Sequence, residues 1–257
     1  MKRILYLLPF AVLLLTACKN TTQKEAIPTQ EIANTATKLD IVPINHATMV
    51  LHWDETVIYV DPTGDKAAFE GQPAPDIILV TDVHGDHLNI PTIDSIITPE
   101  TYFIAPQAVY DELPDALKER MTRLANDETK TITGIAITGI PIYNLREEAK
   151  NFHVKGRGNG YVLEKDSYRV YISGDTEDIP EMRALQNIDL AFVCMNLPFT
   201  MTVESAAAAV ADFKPKTVVP YHYRGREGFS DVARFEKLVN ENAPEVEVKR
   251  LDFYPNP

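Results

Sequence analysis

The chain has 257 residues, 45% hydrophobic and 24% charged, enough apolar material for a substantial core and too much for a disordered polymer. With 25 basic residues against 37 acidic ones, a formal charge of −12 and no basic cluster, it would repel a phosphate backbone, which excludes nucleic acid as a partner. Two cysteines, Cys18 and Cys194, exclude a disulfide-dense scaffold.

Lys2 and Arg3 precede an apolar run from Ile4 to Leu15. It is shorter than the roughly 20 residues of a membrane span and has the length of a secretory h-region. The run ends in Leu15-Thr16-Ala17-Cys18, which resembles the lipobox of bacterial lipoproteins, where the signal is cut before a cysteine that then carries lipid. An ordinary signal peptide, or a short buried helix with a chance cysteine, are the competing readings. The lipoprotein reading gives a signal peptide at 1–17, lipidated Cys18 with a flexible tether to residue 36, and a single folded domain at 37–257. It implies membrane attachment through the lipid, in the bacterial cell envelope, on the periplasmic face. Residues 19–36 are mostly Thr, Gln, Asn, Lys, Glu and Ala without apolar periodicity, a tether composition. If Cys18 is acylated, Cys194 has no disulfide partner, and the fold must stand without bridges.

Beyond the tether, Leu39–Ile44, Thr48–Trp53 and Thr56–Val60 read as a meander of strands, the last two joined by a tight turn at Asp54 and Glu55. Ile77–Val80 is a fully apolar strand, and Thr101–Ala105 another. Pro114–Leu124 has the spacing of an amphipathic helix with proline in its first turn. Further strands are predicted at Gly134–Ile142, Gly160–Leu163, Tyr168–Ser173, Leu190–Met195, Thr217–Pro220 and Glu245–Phe253. Helices are predicted at Pro180–Gln186, Val203–Phe213 and Asp231–Asn240. Strands outnumber helices and no linker interrupts residues 37–257, so the expected class is α/β, with two packed β-sheets and helices outside.

The apolar strand Ile77–Val80 runs into Thr81-Asp82-Val83-His84-Gly85-Asp86-His87. His84, Asp86 and His87 put two imidazoles and a carboxylate in one loop leaving a buried strand, where all three can converge on a cation. This segment resembles the HxHxDH signature of the metallo-β-lactamase superfamily, with Asp82 standing where the first histidine usually is. The rest of the superfamily's ligand order follows: His153 before a strand, Asp175 after Tyr168–Ser173, and His222 after Thr217–Pro220. Asn45-His46-Ala47 and Asp61-Pro62 resemble the branch that includes ascorbate-6-phosphate lactonase and N-acyl phosphatidylethanolamine phospholipase D.

The resemblance implies the αββα metallo-β-lactamase sandwich and two divalent ions, zinc or manganese, with iron a third option. Asp82, His84 and His153 would hold the first, Asp86, His87 and His222 the second, and Asp175 would bridge. It implies hydrolysis of a phosphodiester or a cyclic ester (lactone) by a metal-bridging hydroxide, on a small or phospholipid-like substrate. The aspartate at position 82 would harden the first site. Of six histidines this scheme uses four. His52 lies in an alternating strand and reads as structural. His46 lies at a strand end, with a place at the site and a structural place equally open. Of the candidate catalytic residues, Asp175 would hold the hydroxide, and Asp86, His46 or Tyr223 would hold the water that delivers a proton to the leaving group. Asp61 either orients a ligating histidine or is a plain Asp-Pro turn. Gly156-Arg157-Gly158-Asn159-Gly160 is either a turn or a loop offering Arg157 and Asn159 to an anion, with Asn196 a further pocket residue. For Phe199 and Met201 core packing is the default. The other class of function left standing is a membrane-anchored metal-binding lipoprotein of this fold without turnover.

Overall fold

Runs of Val, Ile and aromatic residues short enough for strands pair into two sheets. The computed structural model describes residues 39–255, so the expected signal peptide, Cys18 and the expected tether lie outside the described residues. The first sheet holds β1 (Leu39–Asn45), β2 (Thr48–Trp53), β3 (Thr56–Val60), β4 (Ile77–Leu79), β5 (Tyr102–Ala105) and β6 (Met121–Arg123) in sequence order. Its first three strands form an antiparallel meander and the rest are added in parallel. The second holds β7 (Thr129–Ile132), β8 (Ile135–Ile142), β9 (Gly158–Lys165), β10 (Tyr168–Ile172), β11 (Leu190–Cys194) and β12 (Thr217–Tyr221). A separate hairpin follows, β13 (Arg224–Gly225) with β14 (Gly228–Phe229), and then β15 (Glu247–Val248) joins the edge of the second sheet beside β12.

The side chains of the first sheet alternate between two apolar clusters. Met49, Leu51, Trp53, Ile58, Val60, Ile77, Leu79 and Ile104 enter the core shared with the second sheet. Val50, Val57, Tyr59, Ile78, Val80, Phe103 and Ala105 face the other way. They are covered by Ile93 and Ile96 of α1 (Ile90–Ile96), Val109 of α2 (Gln107–Glu112) and Leu117 of α3 (Asp115–Lys118). Burial on both faces explains why Ile77–Val80 is apolar without interruption. The second sheet is covered by α4 (Pro180–Arg183), α5 (Val203–Phe213) and α6 (Val232–Asn242), through Met182, Ala206, Val210, Phe213, Phe235 and Val239. This is the α/β metallo-β-lactamase fold expected from the sequence.

Several stretches depart from the sequence expectation, among them α2, β7 and the β13–β14 hairpin, none of which is predicted. Pro114–Leu124 is helical only over Asp115–Lys118, after which Met121–Arg123 pairs with Phe103–Ala105. The four-residue spacing of Leu117 and Met121 fits a helix, but the open edge of β5 supplies a ladder, and Leu124 turns into the inter-sheet core. Glu245–Phe253 is a strand only at Glu247–Val248. The chain then crosses toward the β1–β2 turn, where the Phe253 carbonyl accepts the His46 N–H at 3.0 Å. Helix α1 is not among the predicted elements, although Asn89 Oδ1 accepts the Thr92 N–H as an N-cap and Pro91 sits in the first turn. Connections leaving β3, β4, β8, β10, β11 and β12 carry the chemically active residues, the topology that places sites beyond strand ends in α/β folds.

Candidate metal centre

The loop after β4 is anchored before it is charged. Asp61, at the end of β3, is fully buried and holds φ at 44°. Its Oδ1 accepts the Thr81 N–H at 2.7 Å, and its Oδ2 accepts the Thr81 hydroxyl at 2.7 Å. His87, also fully buried, stands with Nδ1 2.8 Å from Asp61 Oδ2. A proton on Nδ1 donated to Asp61 leaves the Nε2 lone pair facing the site, the arrangement that fixes a ligating imidazole. His153, on the β8–β9 connection, is set the same way by Asn144, whose Oδ1 is 3.1 Å from His153 Nδ1.

Two donor clusters meet at Asp175, just beyond β10. Asp82, His84 and His153 form one, with His84 Nδ1 2.7 Å and His153 Nε2 3.8 Å from Asp82 Oδ2. His87, Asp175 and His222 form another, the two Nε2 atoms 3.1 Å apart. Asp175 touches both: Oδ2 is 3.3 Å from His153 Nε2 and 3.4 Å from His87 Nε2, and Oδ1 is 3.1 Å from His222 Nε2. Asp86 Oδ2 adds a carboxylate 3.5 Å from His222 Nε2 and 3.3 Å from His46 Nε2.

The electrostatics call for a cation. Burial alone would push the Asp175 carboxyl up, but His222, His87 and His153 outweigh it and hold it well below the usual carboxylate range. Asp82 and Asp86 behave likewise, burial being overcome at Asp82 by His84, His87 and Arg157 and at Asp86 by His46 and His87. Burial drives His222 down to about 3, so its imidazole is neutral and its lone pair free. Burial would push His87 down, but Asp175 and Asp61 hold it well above the usual imidazole range, so an imidazolium and the Arg157 guanidinium offset the three carboxylates here, a place that divalent cations would take over from the proton. His153 Nε2 and Asp175 Oδ1 are moreover buried with no hydrogen-bond partner, although both face the cluster. Orphaned donor atoms of nitrogen and oxygen at this spacing fit divalent metal ions.

The structure brings together all seven residues predicted as ligands and adds His46. That imidazole packs on His222 at 3.8 Å between ring centroids, and its Nδ1 is 2.6 Å from the Tyr254 hydroxyl. Tyr254 and Asn144 carry no signature in the sequence, because only the path of the C-terminal segment and of the β8–β9 connection brings them here. His52 is structural, with Nε2 2.9 Å from Gln72 Oε1.

Four expectations on pocket residues need correction or refinement. Arg157 is not a free anion clamp: its Nε and Nη2 donate to Asp82 at 3.1 and 3.0 Å, and Nη2 donates to the Phe152 carbonyl. Asn159 is fully buried and does not line the cavity, donating to the Leu124 carbonyl at 2.7 Å and accepting from Asn126 at 2.6 Å. Tyr223 packs among Phe229 and Tyr254, and it is Tyr254 that touches His46. Asn196 does face the site, its Nδ2 3.5 Å from His222 Nε2, and Phe199, expected to pack in the core, is part of the wall. The cavity over the centre holds about 170 Å³ between His84, Asp86, His153, Asp175, Asn196, Phe152 and Phe199. A larger groove of about 710 Å³ runs between residues 66–75 and 95–98, but no ligating residue lines it.

Comparison with known proteins agrees with this geometry. The profile of the β-lactamase superfamily domain matches residues 40–222. A UPF0173 metal-dependent hydrolase of Pyrococcus abyssi is 30% identical over 80% of this chain and 94% of its own length. One from Thermococcus onnurineus is 32% identical over 75% and 88%. Among solved structures, a protein of Parabacteroides distasonis assigned as a metal-dependent hydrolase superposes with a TM-score of 0.74 at 35% identity, covering 83% of this chain and 93% of that one.

Proposed function

The chain belongs to the metallo-β-lactamase superfamily and, within it, to the UPF0173 metal-dependent hydrolases, and from that premise we propose that it hydrolyses a phosphodiester or cyclic ester at two divalent ions sharing Asp175. The observation that carries this reading is the reach of Asp175: its two carboxylate oxygens stand between the nitrogens of His153, His87 and His222. Bound there, divalent ions would supply electrophilic polarisation of the attacked group and acidify a water for attack near neutral pH.

The protein's own residues divide the remaining work. Asp61 and Asn144 hold His87 and His153 with their Nε2 atoms forward. Asn196 Nδ2 offers a donor beside His222 toward the oxygen on which charge builds. Hydrolysis adds water across the ester bond and leaves a proton for the departing oxygen. His46, with Nε2 3.3 Å from Asp86 Oδ2 and its ring held by Tyr254, is the group that takes up and returns that proton, and the ionised Asp86 orients it. Phe152 and Phe199, edge to face with ring centroids 5.1 Å apart, give the cavity an apolar wall.

The test is turnover of a bis-aryl phosphodiester and of a simple lactone by the metal-loaded protein, beside His84→Ala and His222→Ala. Turnover of either ester that disappears in both variants is expected. A protein that carries metal and turns over neither would instead support the metal-binding lipoprotein without turnover. We further place the protein in the cell envelope as a lipoprotein, on the strength of Leu15-Thr16-Ala17-Cys18. Wild type should fractionate with membranes in a Gram-negative host and Cys18→Ala should not; soluble periplasmic protein in both cases would refute the anchor.

A further inference from the structure

With Arg157 committed to Asp82, a different cation stands against the aromatic wall of the cavity. The tip of the β13–β14 hairpin carries Arg226, whose guanidinium carbon lies 5.4 Å from the centroid of the Phe199 ring, and that ring is one wall of the cavity. Arg226 is exposed and, among the described residues, forms no ion pair. In a chain of charge −12, where most of the arginines are tied to carboxylates, an unpaired arginine over the wall of the reaction cavity is conspicuous.

Its place is built into the backbone. The Arg226 N–H donates to the Leu197 carbonyl at 2.9 Å. Gly225 beside it approaches so closely that a Cβ there would stand 1.9 Å from that same carbonyl oxygen, so only glycine fits the seam. The Leu197–Thr200 segment is held in turn from the other side, by Arg146 Nη2 donating to the Pro198 and Thr200 carbonyls at 2.9 Å and by Asn144 Nδ2 donating to the Phe199 carbonyl at 2.6 Å. Asn144 also contacts His153, so wall, ligand and arginine share one hydrogen-bonded frame. The cavity has room for the reacting group and little more, so the rest of a substrate extends beyond it, and the apolar wall of Phe152 and Phe199 offers it a path on which Arg226 lies.

We propose that Arg226 anchors a negatively charged group of the substrate, one aromatic ring away from the bond that is cleaved, with an apolar or aromatic portion between the two lying along Phe152 and Phe199. This rests on the two-metal hydrolase reading and names the substrate class as anionic esters with an apolar spacer. A guanidinium over a ring face is held by the cation–π attraction and still presents its edge donors to a carboxylate or phosphate.

Two non-hydrolysable ligands separate this role from metal binding: para-carboxyphenylphosphonate and its para-carbamoyl counterpart, matched in shape and differing in one charge. Their dissociation constants would be measured by calorimetry on the metal-loaded protein, with metal content determined on the same samples. Wild type is expected to prefer the carboxylate by about fivefold, as for a partly exposed charge pair. Arg226→Ala should abolish the preference while leaving the carbamoyl ligand unchanged, and Arg226→Lys should keep part of it. Equal binding of the two ligands by wild type, or a preference that survives in Arg226→Ala, overturns the assignment of Arg226 alone. Failure of both ligands to bind protein shown to carry metal overturns it together with the hydrolase reading.

Discussion

Asp61 shows how a residue that touches no substrate can govern a metal centre. It is buried, held at positive φ and bonded to both the Thr81 backbone and His87 Nδ1, so it fixes the loop and the imbalance between the two imidazole nitrogens at once. Asp61→Asn keeps the shape but loses the charge that favours a donating Nδ1–H, and metal affinity should fall roughly 10- to 100-fold by titration with a chromophoric chelator. An unchanged affinity would make Asp61 a turn residue only. Asp82→Ala should lose the metal held with His84 and His153, giving about one ion per chain by elemental analysis, and release Arg157. Two ions retained per chain would mean that Asp82 serves Arg157 and no metal. At this scale the ligands were legible because imidazoles and carboxylates crowded against an apolar strand cost free energy to desolvate unless a cation offsets them. Arg157 and Asn159 were not, because a glycine-flanked loop says nothing about which way its side chains turn, and a neighbouring carboxylate or carbonyl decides that. Tyr254 left no signal, lying in a tail whose route is set by packing of Phe253.

At the scale of elements, strands with both faces buried were the easiest to read, and β2 and β3 have the expected limits. Edge elements were hardest: β6 and β15 are short, and pairing partners rather than their own residues define them. Helix α5 was legible over Val203–Phe213, and the structure adds its cap, the Thr202 hydroxyl accepting the Ser205 N–H at 3.0 Å. Thr202→Ala should cost about 1 kcal/mol in denaturant unfolding, with no loss of bound metal. A Gly160→Ala change in β9 is expected to cost more, about 1–3 kcal/mol, because its Cβ would meet the Ser173 and Ile172 carbonyl oxygens at 2.7 and 2.8 Å. If Gly160→Ala proves no more destabilising than Thr202→Ala, the close contact between β9 and β10 is softer than described.

At the scale of the molecule the centre lies on the seam between the sheets. The first sheet supplies Asp61 and the loop from Asp82 to His87, and the second supplies His153, Asp175 and His222. A cation held from both sides binds the folded state and not the unfolded one, so it staples the two halves. At free metal about 100 times its dissociation constant this is worth about 2.7 kcal/mol, and stripping metal with a chelator should lower Tm by roughly 5–10 °C. The most direct measurement of the central claim is anomalous diffraction from crystals of the metal-loaded protein, collected at the absorption edge of the bound metal. Two peaks are expected, about 3.5–4 Å apart, with Asp175 between them, one beside His84 and His153 and the other beside His87 and His222. A single peak, or two that do not share Asp175, would contradict the two-metal centre.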